Sequence, residues 1–187
     1  MNNHYHMLVD SKPKKTRTVS LRVSEISILE LEKESKTNLV STNVLINQIL
    51  HNYITWDKYR QKMKMYPISE EILRAIVKNT KESEMGPLVD LVYTSIRESA
   101  LMMKKKFNLK SSLQVIKEYC NMFGITFDDS ISSEKNIFTI RHNMGENFSL
   151  LFEKLFEKIF WDLQKIRIDD CQSTETCIVI TTKTCNS

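Results

Sequence analysis

Few side chains in this 187-residue chain are spaced for bond-making chemistry. The four cysteines, Cys120, Cys171, Cys177 and Cys185, form no Cys-x-x-Cys pair, and the one His-x-His, His4-Tyr5-His6, lies close to the amino terminus. Cys120, Cys171, Cys177 and His142 are residue types that a tetrahedral metal site uses, yet nothing in their spacing draws them together, so neither metal nor cofactor is expected. Gly86, Gly124 and Gly145 stand too far apart for a phosphate-cradling loop. No paired-carboxylate, Cys/His or Ser/His spacing singles out a catalytic group, and an enzyme is not expected. Two polar stretches carry other chemistry. Lys12, Lys14 and Lys15 form a basic cluster in a polar arm over 1–15. Arg141-His142-Asn143, followed by Met144-Gly145-Glu146-Asn147, places cationic and amide groups at the start of a long helical pattern, where free N–H groups could receive an anionic ligand. Capping by Asn143 or Asn147 and local packing of His142 account for the same residues, so both readings are open.

Composition narrows the classes further. Hydrophobic residues make up 41% and charged residues 27%, which fits a globular chain rather than a disordered one. No window nears the roughly 18 uninterrupted apolar residues of a membrane span, so no membrane partner is expected. The polar start and unpaired thiols suggest a cytoplasmic protein. The net charge of +4 is unevenly placed: residues 1–66 hold 11 Lys/Arg against 6 Asp/Glu, and residues 67–187 hold 16 against 17. The excess positive charge belongs to the first third.

The elements that must position these groups follow from periodicity. Thr16 to Val23 alternates strictly, with Val19, Leu21 and Val23 on one face and Thr18, Ser20 and Arg22 on the other, which predicts a half-buried strand. Ser24 and Glu25 then open a helix over about 25–36 with Ile28, Leu31 and Ser35 on one face. Thr37-Asn38-Leu39-Val40 breaks it, and Asn38 is the residue there best suited to a left-handed turn. Ser41 caps a second helix, carrying Val44, Leu45, Ile49, Leu50 and Tyr53, to about Trp56.

One strand and two helices are too small for a stable monomer, and the strand would have unpaired edges; two copies pairing their strands solve both problems. At these residues the chain resembles the ribbon-helix-helix family of DNA-binding proteins: TRTVSLRVSE supplies strand and helix start, and NLVSTNVLINQIL supplies turn and second helix. The resemblance covers 16–56 and departs from the family in having Asn38 where glycine is usual. It implies an intertwined homodimer that lays an antiparallel ribbon in the major groove of double-stranded DNA. By the same resemblance Thr18, Ser20 and Arg22 reach base edges, while Ser41, Thr42 and Asn43 at the second helix's amino end hold a phosphate. Lys12, Lys14, Lys15 and Arg17 would neutralise flanking phosphates; a solvated charge run is the alternative.

Beyond a linker at 57–68, the expected body has a helical segment over 69–106 and an α+β domain over 107–183. Ser69 caps one helix, and Pro87 suits the first turn of the next, which ends in Lys104-Lys105-Lys106. A helix over about 110–123 stops at Gly124. Strands follow at Ile125–Phe127 and Asn136–His142, then a long helix over Gly145–Gln164, then strands at 165–169 and 176–182. The fold class is therefore α+β, mostly helical: a ribbon-helix-helix head, helices, and an α-β-β-α-β-β sandwich of split βαβ type with its first strand moved to the end. Phe148, Leu151, Phe152, Leu155, Phe156, Ile159 and Phe160 cover more than one helical face, as a core plus a protein interface would. The layout resembles nickel-responsive regulators of the same superfamily, whose bodies bind metal and tetramerise, but metal ligands are not visible here. The expected function is a homodimeric, sequence-specific transcriptional regulator, with repressor and activator both open and repressor the expected class, whose body oligomerises or senses a signal. The alternative is an antitoxin-like DNA-binding module with a partner-binding tail, which full amphipathic patterning of 69–182 disfavours.

Overall fold

In the computed structural model, residues 16–60, 62–132 and 134–183 are described. The arm at 1–15, with Lys12, Lys14 and Lys15, lies outside the described residues. The chain divides into two compact units, one ending at Leu50 and one beginning at His51.

In the first unit, α1 spans Glu25–Thr37 and α2 spans Thr42–Asn52. Ser24 caps α1, its Oγ accepting from the Ser27 N–H at 3.2 Å. Ile28 and Leu31 are half-buried and Ser35 and Leu45 buried, so the inward face of α1 is the expected one. The turn differs from expectation. Leu39, not Asn38, takes the left-handed conformation, at φ 55°, while Asn38 stays at φ −84°. The position is set by helix length: the Val40 N–H reaches the Ser35 carbonyl at 2.9 Å and the Leu39 N–H that of Lys36 at 3.1 Å, the paired bonds of a Schellman cap. Asn38 is used otherwise, its amide donating to the Glu34 carboxylate at 2.9 Å. Thr16 to Val23 carries no strand in the single chain, since a ladder needs a neighbour and no described segment of the chain pairs with it.

The second unit begins where α2 passes into a π-helical turn, Tyr53–Asp57, and a short helical piece, Lys58–Arg60. Trp56 is buried there, edge-on to Tyr119 with centroids 4.8 Å apart. Then come α3 (Glu70–Lys78), α4 (Glu82–Lys104), α5 (Leu109–Met122), β1 (Thr126–Ile131), β2 (Lys135–Arg141), α6 (Glu146–Gln164), β3 (Asp170–Ser173) and β4 (Cys177–Lys183). The fold is mixed α+β and mostly helical, with the α-β-β-α-β-β order at its end. All strand pairs are antiparallel, in the order β1-β2-β4-β3. A split βαβ sheet takes that order when its first strand is moved to the end.

Alternation decides which face of the sheet is covered. Phe138 and Ile140 of β2, paired with Ile180 and Ile178 of β4, point inward and are fully buried. Against them lies α6, whose Phe148, Phe152, Phe156 and Phe160 stack in sequence with centroids 4.9–6.4 Å apart. Each such ring withdraws enough apolar surface to contribute about 1.5–3 kcal/mol. The other side of α6 is not left for a partner protein: Leu151 packs with Met85 and Val89 of α4, which explains the wide apolar face within one chain.

Two further expectations are corrected. Pro87 is the sixth residue of α4, not part of its first turn, because the helix starts at Glu82, where Glu84 closes back onto the Lys81 N–H at 3.2 Å. The Ser83 carbonyl that loses its partner to the proline belongs to an exposed residue, where water can serve it. The third strand begins at Asp170, not Lys165, because Lys165 closes α6 in the left-handed region at φ 56°, and three more residues return the chain to β4. Its first ladder contact is Asp169 N–H to the Thr181 carbonyl at 2.9 Å.

Candidate functional site

The residues that could meet DNA sit in the first unit. Arg17, Thr18, Ser20 and Arg22 are all exposed, ahead of the Ser24 cap. Their apolar neighbours are exposed too: Val19 and Leu21 are each about two-thirds accessible, at 67% and 66%. Ile26, Leu29, Val44, Ile49 and Leu50 add further large apolar side chains in contact with water. This alternating segment, with both faces exposed, leaves its apolar side uncovered in the single chain.

At the amino end of α2, Ser41 acts as the N-cap, its Oγ accepting from the Val44 N–H at 3.2 Å. Thr42 is half-buried and shares a hydrogen bond of 3.2 Å with the buried Ser35 hydroxyl. Asn43 is exposed, and its backbone carbonyl accepts from the Asn47 amide at 2.8 Å. The three expected phosphate residues therefore share one helix start, with Thr42 also tying α1 to α2.

A second candidate lies in the other unit. Arg141, His142 and Asn143 line one cleft with Glu70 and Leu73 of α3 and Phe123 after α5. Within it the three behave differently. Arg141 lies on the exposed side and donates to Asp128 at 2.7 Å. His142 is buried, stacked edge-on to Phe148 at 4.9 Å, and burial pushes its pKa below the ordinary value. Both its nitrogens are engaged: Nδ1 accepts from the Met144 N–H at 3.2 Å, and Nε2 meets the Ser149 hydroxyl at 2.9 Å. Local packing is thus the role the geometry gives His142. Asn147 caps no helix start; its amide Nδ2 lies 3.2 Å from the carbonyls of Val77, Lys78 and Thr80, at the carboxyl end of α3, while Gly145 occupies the N-cap of α6. Glu70, Leu73 and Phe123 escaped the sequence reading because they are far from Arg141 along the chain, and only the packing of α3 and of the end of α5 brings them near.

Two of the thiols, Cys120 and Cys171, are quiet. Burial pushes the Cys120 thiol up to about 12, and burial together with Glu153 does the same for Cys171. Among the described residues no group of three or more His, Cys, Asp or Glu side chains is placed to hold a metal ion. Among them, too, no helix is long and apolar enough to cross a membrane.

No protein-family model matches the chain, and no curated protein matches it in sequence. The resemblance of 16–56 to ribbon-helix-helix proteins accordingly stands on the residues themselves.

Proposed function

We propose that this chain is a homodimeric, sequence-specific DNA-binding regulator in which two copies pair their Thr16–Val23 segments into an antiparallel ribbon. The observation that carries this reading is the exposure of Val19, Leu21 and Val23 beside the exposed Thr18, Ser20 and Arg22. Pairing with a second copy would bury the first trio between four helices and supply the missing ladder bonds. It would leave the second trio outward, where a two-stranded ribbon meets base edges in the major groove. Arg22 can donate two bonds to a guanine; Thr18 and Ser20 can donate, accept, or touch a thymine methyl. Arg17, Ser41, Thr42, Asn43 and the lysines of the arm would hold phosphates.

The folded second unit favours a regulator with a sensing or oligomerising body over an antitoxin-like module, whose partner-binding tail would be short and without a core. Here α6 and the sheet enclose a continuous aromatic and aliphatic core. Selection of bound sequences from a random duplex pool with the purified chain tests the reading. The expected result is an inverted or tandem repeat of short subsites; no enrichment would overturn it.

A further inference from the structure

A cleft beside α3 joins charged and apolar groups from α3, the turn between α5 and β1, the end of β2 and the turn that follows it, and the proposed DNA contacts leave it unused. It measures about 260 Å³ and is lined on its apolar side by Leu73, Phe123, Ile125 and Met144, with Arg141 and Glu70 as its charged residues. That volume is below the roughly 300–1,000 Å³ of sites for drug-sized ligands, which sets the occupant near the size of one amino acid.

Charge selects its chemistry. Glu70 pairs with Arg74, one turn along α3, in an exposed ion pair that leaves its carboxylate open to a ligand ammonium where one is present. Arg74 in turn keeps a buried Nε–H that has no acceptor. Among the described residues Arg141 pairs with Asp128, and both side chains are about 60% exposed, at 60% and 61%. So exposed a pair contributes little, and a better-placed carboxylate can displace it. His142 cannot compete for a ligand, since both its nitrogens are committed. An anion with an apolar tail satisfies what is left: a planar carboxylate matches the guanidinium fork of Arg141, and the tail covers the half-buried Leu73 and Phe123 beside the buried Ile125 and Met144.

We infer that this cleft binds a small organic carboxylate with an apolar side chain, anchored by Arg141. The ligand would bridge the end of β2 to α3, the first full helix after the short piece at Lys58–Arg60. Its use as an effector of DNA binding rests on the function proposed above; the binding itself does not, and it is measured without DNA.

The test is calorimetric titration of the full chain with four acids and one uncharged control. L-leucine and L-phenylalanine carry an ammonium group; isocaproate and hydrocinnamate do not; isohexanol lacks the carboxylate. The expected result is binding of at least one acid, none of the alcohol, and a loss of at least about tenfold in affinity in Arg141→Ala. Asp128→Ala removes the same exposed ion pair but should bind as well as the wild type or better, which separates a lost anchor from a disturbed sheet. Binding confined to the amino acids, with that preference removed by Glu70→Gln, identifies an amino acid as the source; binding of the other two acids as well identifies simple carboxylic acids. If none of the four acids binds, if isohexanol binds equally, or if Arg141→Ala binds like the wild type, the inference fails.

Discussion

His142 Nε2 lies 2.9 Å from the Ser149 hydroxyl, which itself donates to the Thr174 carbonyl at 2.6 Å. Ser149 spends its one proton on Thr174, so His142 must donate through Nε2 and keep Nδ1 bare for the Met144 N–H. The chain of bonds fastens the turn after β2, the start of α6 and the β3–β4 hairpin around a neutral imidazole.

That neutrality has a pH signature. Burial lowers the folded-state pKa of His142 below its unfolded value of about 6.5. The contribution is complete above that pH and is lost as pH falls toward the folded pKa, where the imidazole charges. Thermal unfolding followed from about pH 7 to about pH 5 should therefore show a steeper fall in Tm for the wild type than for His142→Gln, which cannot titrate. Parallel slopes would show that this ring does not control the acid limb.

Asn147 offers a second test of the same corner. Its amide serves three carbonyls at the end of α3, so Asn147→Ala should cost about 1–3 kcal/mol. Asn147→Asp should cost more, because a carboxylate would face those oxygens and the negative end of the helix dipole. Urea midpoints that rank Asp above Ala would remove the capping role.

Leu39→Gly should stabilise the first unit. A leucine at φ 55° pays about 1–2 kcal/mol that glycine does not, and glycine's greater unfolded freedom returns part of it. The net gain expected in chemical denaturation is about 0.5–1 kcal/mol. A loss of stability would mean that the Leu39 side chain, exposed in the single chain, is covered in the assembled protein.

Leu21→Asp probes the ribbon. A carboxylate on the face proposed to pair with a second copy would be buried unpaired in that dimer, so sedimentation should read monomer for the variant where the unaltered chain reads dimer. The circular dichroism of the second unit should persist. A dimer that survives this change, and Val19→Asp as well, would place self-association elsewhere.

Arg22→Ala should leave the dimer intact and remove preference among DNA sequences, since each bidentate arginine–guanine contact is worth about 1–3 kcal/mol of discrimination. Competition between selected and scrambled duplexes measures this directly. Selectivity retained in the variant would refute the assignment of the outer face.

Much of this chain is legible without coordinates, for local reasons. The caps at Ser24 and Ser41, the inward face of α1, the hairpin before α6 and the aromatic run along it are all written in spacings of two, three or four residues, which fix the side of an element a residue occupies. What eluded the sequence depends on distances along the chain that spacing does not encode. Whether Asn38 or Leu39 turns left-handed depended on where α1's last carbonyls fell, and the start of β3 depended on how Lys165 closed α6. The partner of the second face of α6 proved to be α4, and the amide of Asn147 reached a helix nearly seventy residues earlier in the chain. The cleft is of the same kind: Arg141 was visible as a cation beside a helix start, but Glu70 and Leu73 became its neighbours only when α3 packed beside the sheet. The sequence by itself determined the elements and their apolar faces, because those follow from backbone periodicity. Only tertiary packing decided which faces meet within the chain, because burial is satisfied by any apolar surface of the right shape.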